Sequence, residues 1–411
     1  MKTRNFLSLV ITAFVVSAYG FAEGQWMNSW VSNILGKDKI FVSIMVATSG
    51  FFGAVFFIVW GAISDNTRDK LGRRKSILIT GLLITGILVI IFGFSKMFII
   101  CLILDGVLIG ITSNMFHSTR KALVPDMSKI RKRGRISSNI MILGGIGGIV
   151  TYAFVIWGQK DAEGYFTEFT HKLVFIITGV LLIGAAFMVY FTLEESMENL
   201  PPVRNWGQDI KNIFSWQELR KHKDFYRFFI AYLFPAMARY SFTPFLILYV
   251  QEAGLNSTEI LIYSLMMGAG AALGPIIFPR ISDRFGRKKI VLITLPCAIL
   301  GLIFLAFSEI NIWILYFGMF FTNLFLEGSN STSETWSYDL VDREARGKFL
   351  GIINIISSAG QIPGVIIAGV FADKLGLWVV FVIAAVFTTI AIPLYLRVPD
   401  QLIREKKVIA N

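Results

Sequence analysis

The sequence has little charge and few of the residues that carry redox or metal chemistry. Only 16% of its 411 residues are Asp, Glu, Lys or Arg, whereas soluble domains average roughly 25%. The two cysteines, Cys101 and Cys297, lie far apart in apolar stretches, which is typical of small buried side chains and not of a disulfide or a metal pair. The three histidines, His117, His171 and His222, are also scattered. We therefore expect no metal and no cofactor.

Catalytic motifs and long polar stretches are missing as well. The chain has no zinc-ligand spacing, no nucleophile elbow and no phosphate-binding loop. No polar stretch is long enough to form a soluble domain of useful size. Because nothing in the sequence suggests a convergent catalytic site, we expect that the protein is not an enzyme.

Apolar runs fill the chain instead. Runs of about 20 residues, enough to cross a bilayer as a helix, recur from Phe6 almost to Leu396. The first run continues past Gly20 without a small-residue cleavage pattern, so we interpret it as a retained helix. The runs predict twelve transmembrane helices, near 6–25, 40–63, 76–94, 97–119, 136–157, 172–192, 224–250, 258–279, 290–307, 311–335, 349–371 and 376–396.

The net charge of +12 is distributed unevenly between the two sides of this predicted bundle. Lysine and arginine concentrate on the cytoplasmic side of multi-pass proteins. If both termini are cytoplasmic, only six of the 39 Lys and Arg residues lie in outer segments. The basic charge therefore predicts a plasma-membrane protein with both termini in the cytoplasm, and no nucleic-acid partner. The six outer lysines are Lys37, Lys39, Lys96, Lys160, Lys172 and Lys374.

The two halves of the chain repeat each other. The string Ile63-Ser64-Asp65 returns as Ile281-Ser282-Asp283, and Leu71-Gly72-Arg73-Arg74-Lys75 returns as Phe285-Gly286-Arg287-Lys288-Lys289. We expect an N-terminal six-helix bundle over 1–194, a cytoplasmic loop over 195–222 and a C-terminal six-helix bundle over 223–411. Two such repeats are typical of transporters whose site lies near the bilayer midplane.

Ionisable residues inside the predicted helices are few. Glu23, Asp105, Arg239 and Glu327 fall in the first, fourth, seventh and tenth helices. A charge at the centre of a membrane helix costs at least ~2.5 kcal/mol, so each is a functional candidate. Two structural interpretations remain open: Arg239 and Glu327 could form an ion pair that only fixes packing, and Glu23 could lie at a solvated helix end.

Helical periodicity adds neutral polar groups to these faces. Asn323 and Asn330 share a face with Glu327, Tyr19 shares one with Glu23, and Tyr232 shares one with Arg239. The candidate solute and ion residues are therefore Tyr19, Glu23, Asp105, Tyr232, Arg239, Asn323, Glu327 and Asn330. Among the aromatic residues, the sequence predicts interface-belt positions for Trp26, Trp30 and Trp313, and a belt or cavity-wall position for Trp336.

The repeated loop motif resembles that of the major facilitator superfamily. Gly61-x-x-x-Asp65, followed by Gly72-Arg73-Arg74, is similar to its signature loop between helices two and three. The second copy keeps Asp283 and Gly286 but has Pro279 in place of the leading glycine. The resemblance covers essentially the whole chain. It implies an all-α fold of two six-helix bundles, in which the first, fourth, seventh and tenth helices line a central cavity.

Finer features resemble the sugar-cation symporter branches of that superfamily. The longer Asp65-Asn66-Thr67-Arg68 loop looks like that of glycoside-pentoside-hexuronide and plant-sucrose-type transporters. Asn114 followed by Arg120-x-Ala122-Leu123-x-x-Asp126 is similar to the sucrose-type branch. The loop motifs suit a gating latch, although each arginine could also be a simple positive-inside anchor. The candidate gating residues are Gly61, Asp65, Arg68, Gly72, Arg73, Arg74, Arg120, Asp126, Asp283, Gly286 and Arg287.

Three acids and one arginine within the membrane favour proton coupling, because at least one acid has no obvious partner and a desolvated acid can bind and release a proton. The sequence thus predicts a secondary transporter, a proton symporter for a sugar or glycoside. Its expected partners are a small solute, a proton or sodium ion and the lipid bilayer, with the protein as a monomer. Sodium coupling, uniport, drug or metabolite export, and a solute sensor that does not transport remain alternatives.

Overall fold

The described part of the chain is helical in the computed structural model. It comprises residues 3–127, 166–195, 223–340 and 346–400, with a few single residues between 136 and 160, and no β-strand occurs in it. Ten of its helices are long and apolar enough to cross a membrane. Eleven of the twelve predicted helices have a counterpart here, and most of the predicted fifth helix, 136–157, lies outside the described residues.

We number the observed helices α1 to α11 along the chain, so that the predicted first, fourth, seventh and tenth helices are α1, α4, α6 and α9. Three of them consist of successive helical segments: α1 (Thr3–Phe21, Ala22–Met27, Trp30–Ile34), α4 (Phe98–Cys101, Leu102–Ile109, Gly110–Met127) and α6 (Lys223–Phe242, Thr243–Phe245, Leu246–Glu252). The others are α2 (Lys39–Asn66), α3 (Lys75–Phe92), α5 (Glu168–Thr192), α7 (Ser257–Phe285), α8 (Arg287–Ala306), α9 (Ile312–Asp339), α10 (Arg346–Leu375) and α11 (Val379–Leu396).

Local sequence signals set several helix starts. The Thr167 hydroxyl accepts a hydrogen bond from the Thr170 backbone N–H and caps α5. The Asn311 carboxamide oxygen does the same for the Trp313 N–H at the start of α9, at 2.9 Å. Both caps satisfy a backbone donor that the first turn of a helix leaves free.

The chain divides into two compact units. The first unit holds Met1–Trp206 and Val250–Ser257, and the second holds Gly207–Tyr249 and Thr258–Asn411. Within the first unit, α3 packs against α4 and α5, α2 packs against α4, and α1 packs against α5. Within the second unit, α6 packs against α10 and α11, and α8 packs against α9 and α11.

Buried aromatic side chains correct part of the sequence interpretation. Trp26 and Trp30 are fully buried, with Trp26 edge-on to His171 at a ring distance of 5.2 Å and the Trp30 indole N–H donating to the Ser95 carbonyl at 3.0 Å. The prediction that both lie in an interface belt is therefore wrong. A sequence places a residue along a helix axis, but rotation about the axis decides whether it faces lipid or a neighbouring helix.

Trp313 and Trp336, the other two tryptophans whose positions the sequence predicted, differ from each other. Trp313 is 62% exposed, as a belt position requires. Trp336 is fully buried in the core of the second unit, where its ring packs against Phe228 and Tyr395 and its N–H donates to the Pro399 carbonyl at 3.2 Å. Trp336 is thus a core residue and neither a belt nor a cavity-wall residue.

Glycines allow α7 and α9 to pack backbone against backbone in the second unit. A Cβ on Gly270 would overlap the Phe320 carbonyl oxygen, and a Cβ on Gly274 would overlap the Leu324 carbonyl oxygen. These glycines are four residues apart, the spacing of small residues at close helix contacts in membranes. Gly268, on the same helix, has open space around it.

We expect Gly274→Val to destabilise the protein and Gly268→Val to have little effect. The atoms that oppose a side chain at position 274 are backbone atoms of α9, so α7 and α9 would have to separate, at a cost of about 1 to 3 kcal/mol. Thermal unfolding of the purified variants in detergent measures the difference. Both substitutions change helix propensity equally, so equal losses of stability would contradict this account.

Candidate functional site

Both acidic candidates of the first unit lie where their helices depart from α-helical geometry. Glu23 lies in the π-helical segment Ala22–Met27 of α1, and Asp105 lies in the π-helical segment Leu102–Ile109 of α4. Short π-helical segments are uncommon and often occur at functional sites, because they leave backbone groups and side chains in unusual directions. Both acids that charge had indicated in this unit thus lie in π-helical segments.

Asp105 is deeply buried. Its side chain is 2% exposed, and its Oδ1 atom has no hydrogen-bond partner among the described residues. The neighbouring glycines bring α2 close: a Cβ on Gly106 would touch the Thr48 side chain at 3.0 Å, and one on Gly110 would meet the Ser49 carbonyl oxygen at 3.3 Å. The Asp105 carboxyl group therefore lies in a tight, protein-lined part of the helix bundle.

Glu23 and Tyr19 lie on the α1 side of the same region. The Glu23 carboxylate accepts a hydrogen bond from the Ser49 hydroxyl at 3.5 Å, and it is close enough to Asp105 for the two charges to interact. Tyr19, one turn before Glu23 on α1, is fully buried. No ion pair to Glu23 or Asp105 occurs within the described residues. The two acids and the Tyr19 phenol thus lie in one region in which no described lysine or arginine side chain neutralises the acids.

His117 and Arg120 continue this face of α4. The half-buried His117 ring packs 4.7 Å from the Phe116 ring and 6.4 Å from the Tyr19 ring. Arg120 is also half-buried, and its Nε atom has no hydrogen-bond partner among the residues described. Both side chains lie near the end of α4 that carries the loop motif, so the gating role predicted for Arg120 stays a prediction.

An ion pair joins α6 and α9 in the second unit. The Arg239 guanidinium binds the Glu327 carboxylate at 2.6 Å, with side-chain exposures of 44% and 16%. The sequence allowed Arg239 and Glu327 either to fix helix packing as an ion pair or to take part in function. The observed pair is compatible with both roles. Arg239 is thus the more exposed member of the pair.

A second polar link joins the same two helices. The Tyr232 hydroxyl donates to the Asn330 carboxamide oxygen, so Asn330 and Glu327 both reach α6. Asn323 instead donates to the Met319 carbonyl of its own helix at 2.9 Å. The α6 helix changes to a short 3-10 segment at Thr243–Phe245, just beyond Arg239, and such a break within a helix often marks a hinge.

The loop motif of the first unit forms a buried charge cluster. Arg74 binds Asp65 at 2.6 Å and Asp126 at 2.6 Å, and Arg73 also binds Asp126. Both arginine side chains are only 8% exposed. Arg68 donates to the backbone carbonyls of Asp65 and Thr67. The motif therefore ties the ends of α2, α3 and α4 together, which a set of simple surface anchors would not do.

Glu195 completes this cluster, and sequence reasoning missed it. Its carboxylate accepts hydrogen bonds from the backbone N–H groups of Arg74 at 2.8 Å and Lys75 at 3.2 Å. It thereby caps α3, where the helix dipole favours an anion. Gly72 has a φ of +126°, and a Cβ there would meet the Glu195 carboxylate at 2.7 Å. Glycine is required at position 72 for both reasons.

The second unit repeats the arrangement. Arg287 binds Asp283 at 2.6 Å and Asp339 at 2.9 Å, and Gly286 has a φ of +99°. The Asp400 carboxylate accepts from the Lys288 backbone N–H at 3.0 Å, the same cap that Glu195 provides. Asp339 and Asp400 were not predicted either. A signal for Asp339 was present, since it lies 213 positions after Asp126, the offset of the internal repeat.

Gly61 is the remaining member of the predicted gating set. Its carbonyl accepts from the Ser64 hydroxyl at 2.8 Å, and open space surrounds its Cα. All the contacts described for the two loop clusters lie within one unit each. Whether these residues also act as a gate remains a prediction.

We expect Glu195→Ala to destabilise the protein by about 1 to 3 kcal/mol, since it removes a helix cap and leaves two backbone donors without their partner. Glu194→Ala is the matched control: Glu194 pairs with Arg4 at 3.2 Å on the surface, and exposed pairs contribute about 0 to 1 kcal/mol. Thermal unfolding in detergent compares the two. A larger loss for Glu194→Ala would refute the capping role.

The chain matches a known protein family over almost its whole length. The family model of the Major Facilitator Superfamily matches residues 6–309 and 261–409. The staphyloferrin A transporter of Staphylococcus aureus (strain NCTC 8325 / PS 47) is 26% identical over 342 residues, which is 80% of each protein. The multidrug resistance protein MdtG of Escherichia coli O17:K52:H18 is 24% identical over 273 residues, and the match spans 65% of this chain but only 62% of MdtG.

Solved structures share the fold at low sequence identity. A bacterial homologue of the human lysosomal transporter Spinster, in an inward-facing and occupied conformation, has a TM-score of 0.73 at 14% identity, covering 96% of this chain and 97% of the other. The nucleoside transporter NupG has a TM-score of 0.71 at 16% identity, covering 96% and 98%. The predicted all-α, multi-pass membrane fold is confirmed, and the chain belongs to the Major Facilitator Superfamily, a family of membrane transporters for small solutes.

Proposed function

We propose that this protein is a proton-coupled symporter in the plasma membrane, that both its termini are cytoplasmic, and that it carries a small polar solute by alternating access. A sugar or glycoside is the proposed solute class. The observation that carries the proposal is the buried Asp105 carboxyl group, which interacts electrostatically with Glu23 and has an oxygen without a hydrogen-bond partner among the described residues. No lysine or arginine in that part of the chain pairs with either acid.

Physical chemistry favours a proton at this acid pair. Two carboxylates close together in a region of low dielectric repel each other and lose hydration, and a bound proton relieves both costs. Release of that proton requires water or a conformational change that restores hydration. Such a group can therefore link protonation to the change between two conformations, which proton coupling requires.

The second unit supplies groups that suit a polar solute. The Arg239 guanidinium has several N–H donors, Glu327 and Asn330 have oxygen acceptors, and Tyr232 offers an aromatic ring. Hydroxyl-rich molecules can exchange hydrogen bonds with each of these groups. The half-exposed Arg239 side chain leaves room for a solute to contact the ion pair without first breaking it.

Export is the second candidate, and it is favoured by the likeness to MdtG, whose name describes multidrug resistance. The other proteins compared above are a staphyloferrin A transporter and the structurally similar nucleoside transporter NupG, so the solute class needs a direct test. A sodium ion could replace the proton, since carboxylate and hydroxyl oxygens also bind hard cations. If the protein is a sensor, it should bind solute but should not transport it across the membrane.

Proteoliposomes with an imposed pH gradient test the coupling. A panel of sugars, glycosides, nucleosides, siderophores and drugs is first screened by thermal stabilisation of the purified protein. For a hit, we expect accumulation along the inward proton gradient, and a loss of at least about tenfold in Asp105→Asn, equal to ~1.4 kcal/mol. Solute exchange without a gradient should persist in the variant, because only the proton site has been removed.

The control for this test is Glu309→Gln, which changes an exposed loop acid of the second unit and should leave accumulation intact. Expulsion of solute by the same gradient would establish export. Accumulation driven by sodium alone would exclude the proton. Full gradient-driven accumulation in both Asp105→Asn and Glu23→Gln would refute the acid-pair mechanism.

Variants of the ion pair separate solute binding from packing. We expect Glu327→Gln to weaken solute binding by at least about tenfold, as measured by thermal-shift titration, because a charged hydrogen-bond acceptor is lost. In the charge-swapped double variant, Arg239→Glu with Glu327→Arg, stability should recover while solute binding stays weak. Recovery of both properties together would show that the pair acts only in packing.

A further inference from the structure

Three outer lysines converge on one groove of the first unit. The groove has a volume of about 610 Å³ and lies between the end of α1 and the starts of α2, α4 and α5. Lys37 and Lys96 line it, together with Glu168, and Glu168 in turn binds Lys172. Lysine is rare on this side of the chain, where only six occur, so the positive-inside pattern does not explain three around one groove.

The charges around the groove do not cancel. Glu168 accepts from Lys172 at 2.6 Å and from Lys96 at 3.3 Å, so one carboxylate faces two ammonium groups. Lys37 lies over the Phe41 ring at 5.7 Å. Nearby, Lys39 is balanced by Glu252 at 2.9 Å, and the exposed Asp38 lies beside Lys37. Four ammonium groups and three carboxylates therefore surround the groove, which leaves one positive charge without a negative counterpart.

The rest of the groove is apolar. Its other lining residues are Ile34, Leu35, Phe41, Met97, Phe98 and Ile99. Met97 and Ile99 are largely exposed, as is Phe94, whose ring lies 5.5 Å from the Lys172 ammonium. Ile99 lies in the first turn of α4, and Phe94 and Met97 lie in the loop just before it, so these exposed apolar side chains stand at the end of the membrane-spanning segments, within reach of acyl chains. The surface thus joins cationic groups at the membrane boundary to an apolar slope that leads into the bilayer.

We propose that this groove binds the headgroup of an anionic phospholipid from the outer leaflet. The lipid phosphate would lie between Lys37 and Lys96, which could donate charge-assisted hydrogen bonds to its oxygens. The acyl chains would lie on the apolar slope. A lipid fits better than a soluble phosphate because most of the lining is apolar and would be poorly solvated beside a free ion. The inference does not depend on the solute or on the coupling ion.

Native mass spectrometry of the detergent-purified protein tests the site. Phosphatidylglycerol and phosphatidylcholine are added in turn, and the bound fraction of each is measured. We expect the wild-type protein to prefer phosphatidylglycerol, and each of Lys37→Gln and Lys96→Gln to reduce that preference by about fivefold. Lys374→Gln is the matched control, because Lys374 is an exposed outer lysine of the second unit and should leave the preference unchanged.

A third arm adds millimolar inorganic phosphate together with phosphatidylglycerol. Continued lipid binding supports the lipid, whereas displacement by inorganic phosphate would show a soluble-anion site and overturn the proposal. An unchanged lipid preference in Lys37→Gln and Lys96→Gln, or an equal loss in Lys374→Gln, would also overturn it. Lys37 is exposed, and the contact described for its side chain is the one with the Phe41 ring, so this variant should fold and allow a result even if Lys96→Gln does not.

Discussion

The cost of burying charge in a membrane governs this structure. An ionised side chain away from water must find a partner, a proton or a water-filled space. The two units meet this requirement differently. In the second unit Arg239 and Glu327 neutralise each other, whereas in the first unit Glu23 and Asp105 are both acids and have only neutral or acidic neighbours among the contacts described. That asymmetry is the physical basis for proposing a solute site in the second unit and a proton site in the first.

The same cost explains the loop clusters. Arg73, Arg74 and Arg287 are almost fully buried at the helix ends, where an unpaired guanidinium would be expensive. Each binds at least one carboxylate from a different helix or helix end. Helix ends are thereby fixed by ionic contacts where apolar packing gives way to water.

Much of the fold could be predicted from sequence because a membrane helix needs a long apolar run, and such runs are visible without an alignment. The charged candidates were also visible, since Glu23, Asp105, Arg239 and Glu327 stand out against an apolar background. The sequence could not show which of the candidate side chains contact one another. Asn323 bonds to its own helix and Trp26 and Trp30 turn inward, because helix rotation depends on packing. Glu195 and Asp400 escaped notice because a capping acid that follows a helix looks like any polar loop residue.

The two capping acids have a consequence for synthesis on the ribosome. Glu195 and Asp400 follow the last helix of their respective repeats, yet each satisfies the backbone at the start of α3 or α8, which is made more than a hundred residues earlier. The start of α3 or α8 therefore lacks its capping carboxylate until the last helix of the same repeat has been made. A ribosome that pauses before either acid has been made would therefore leave that helix start without its carboxylate partner, although the rest of the helix has already been synthesised.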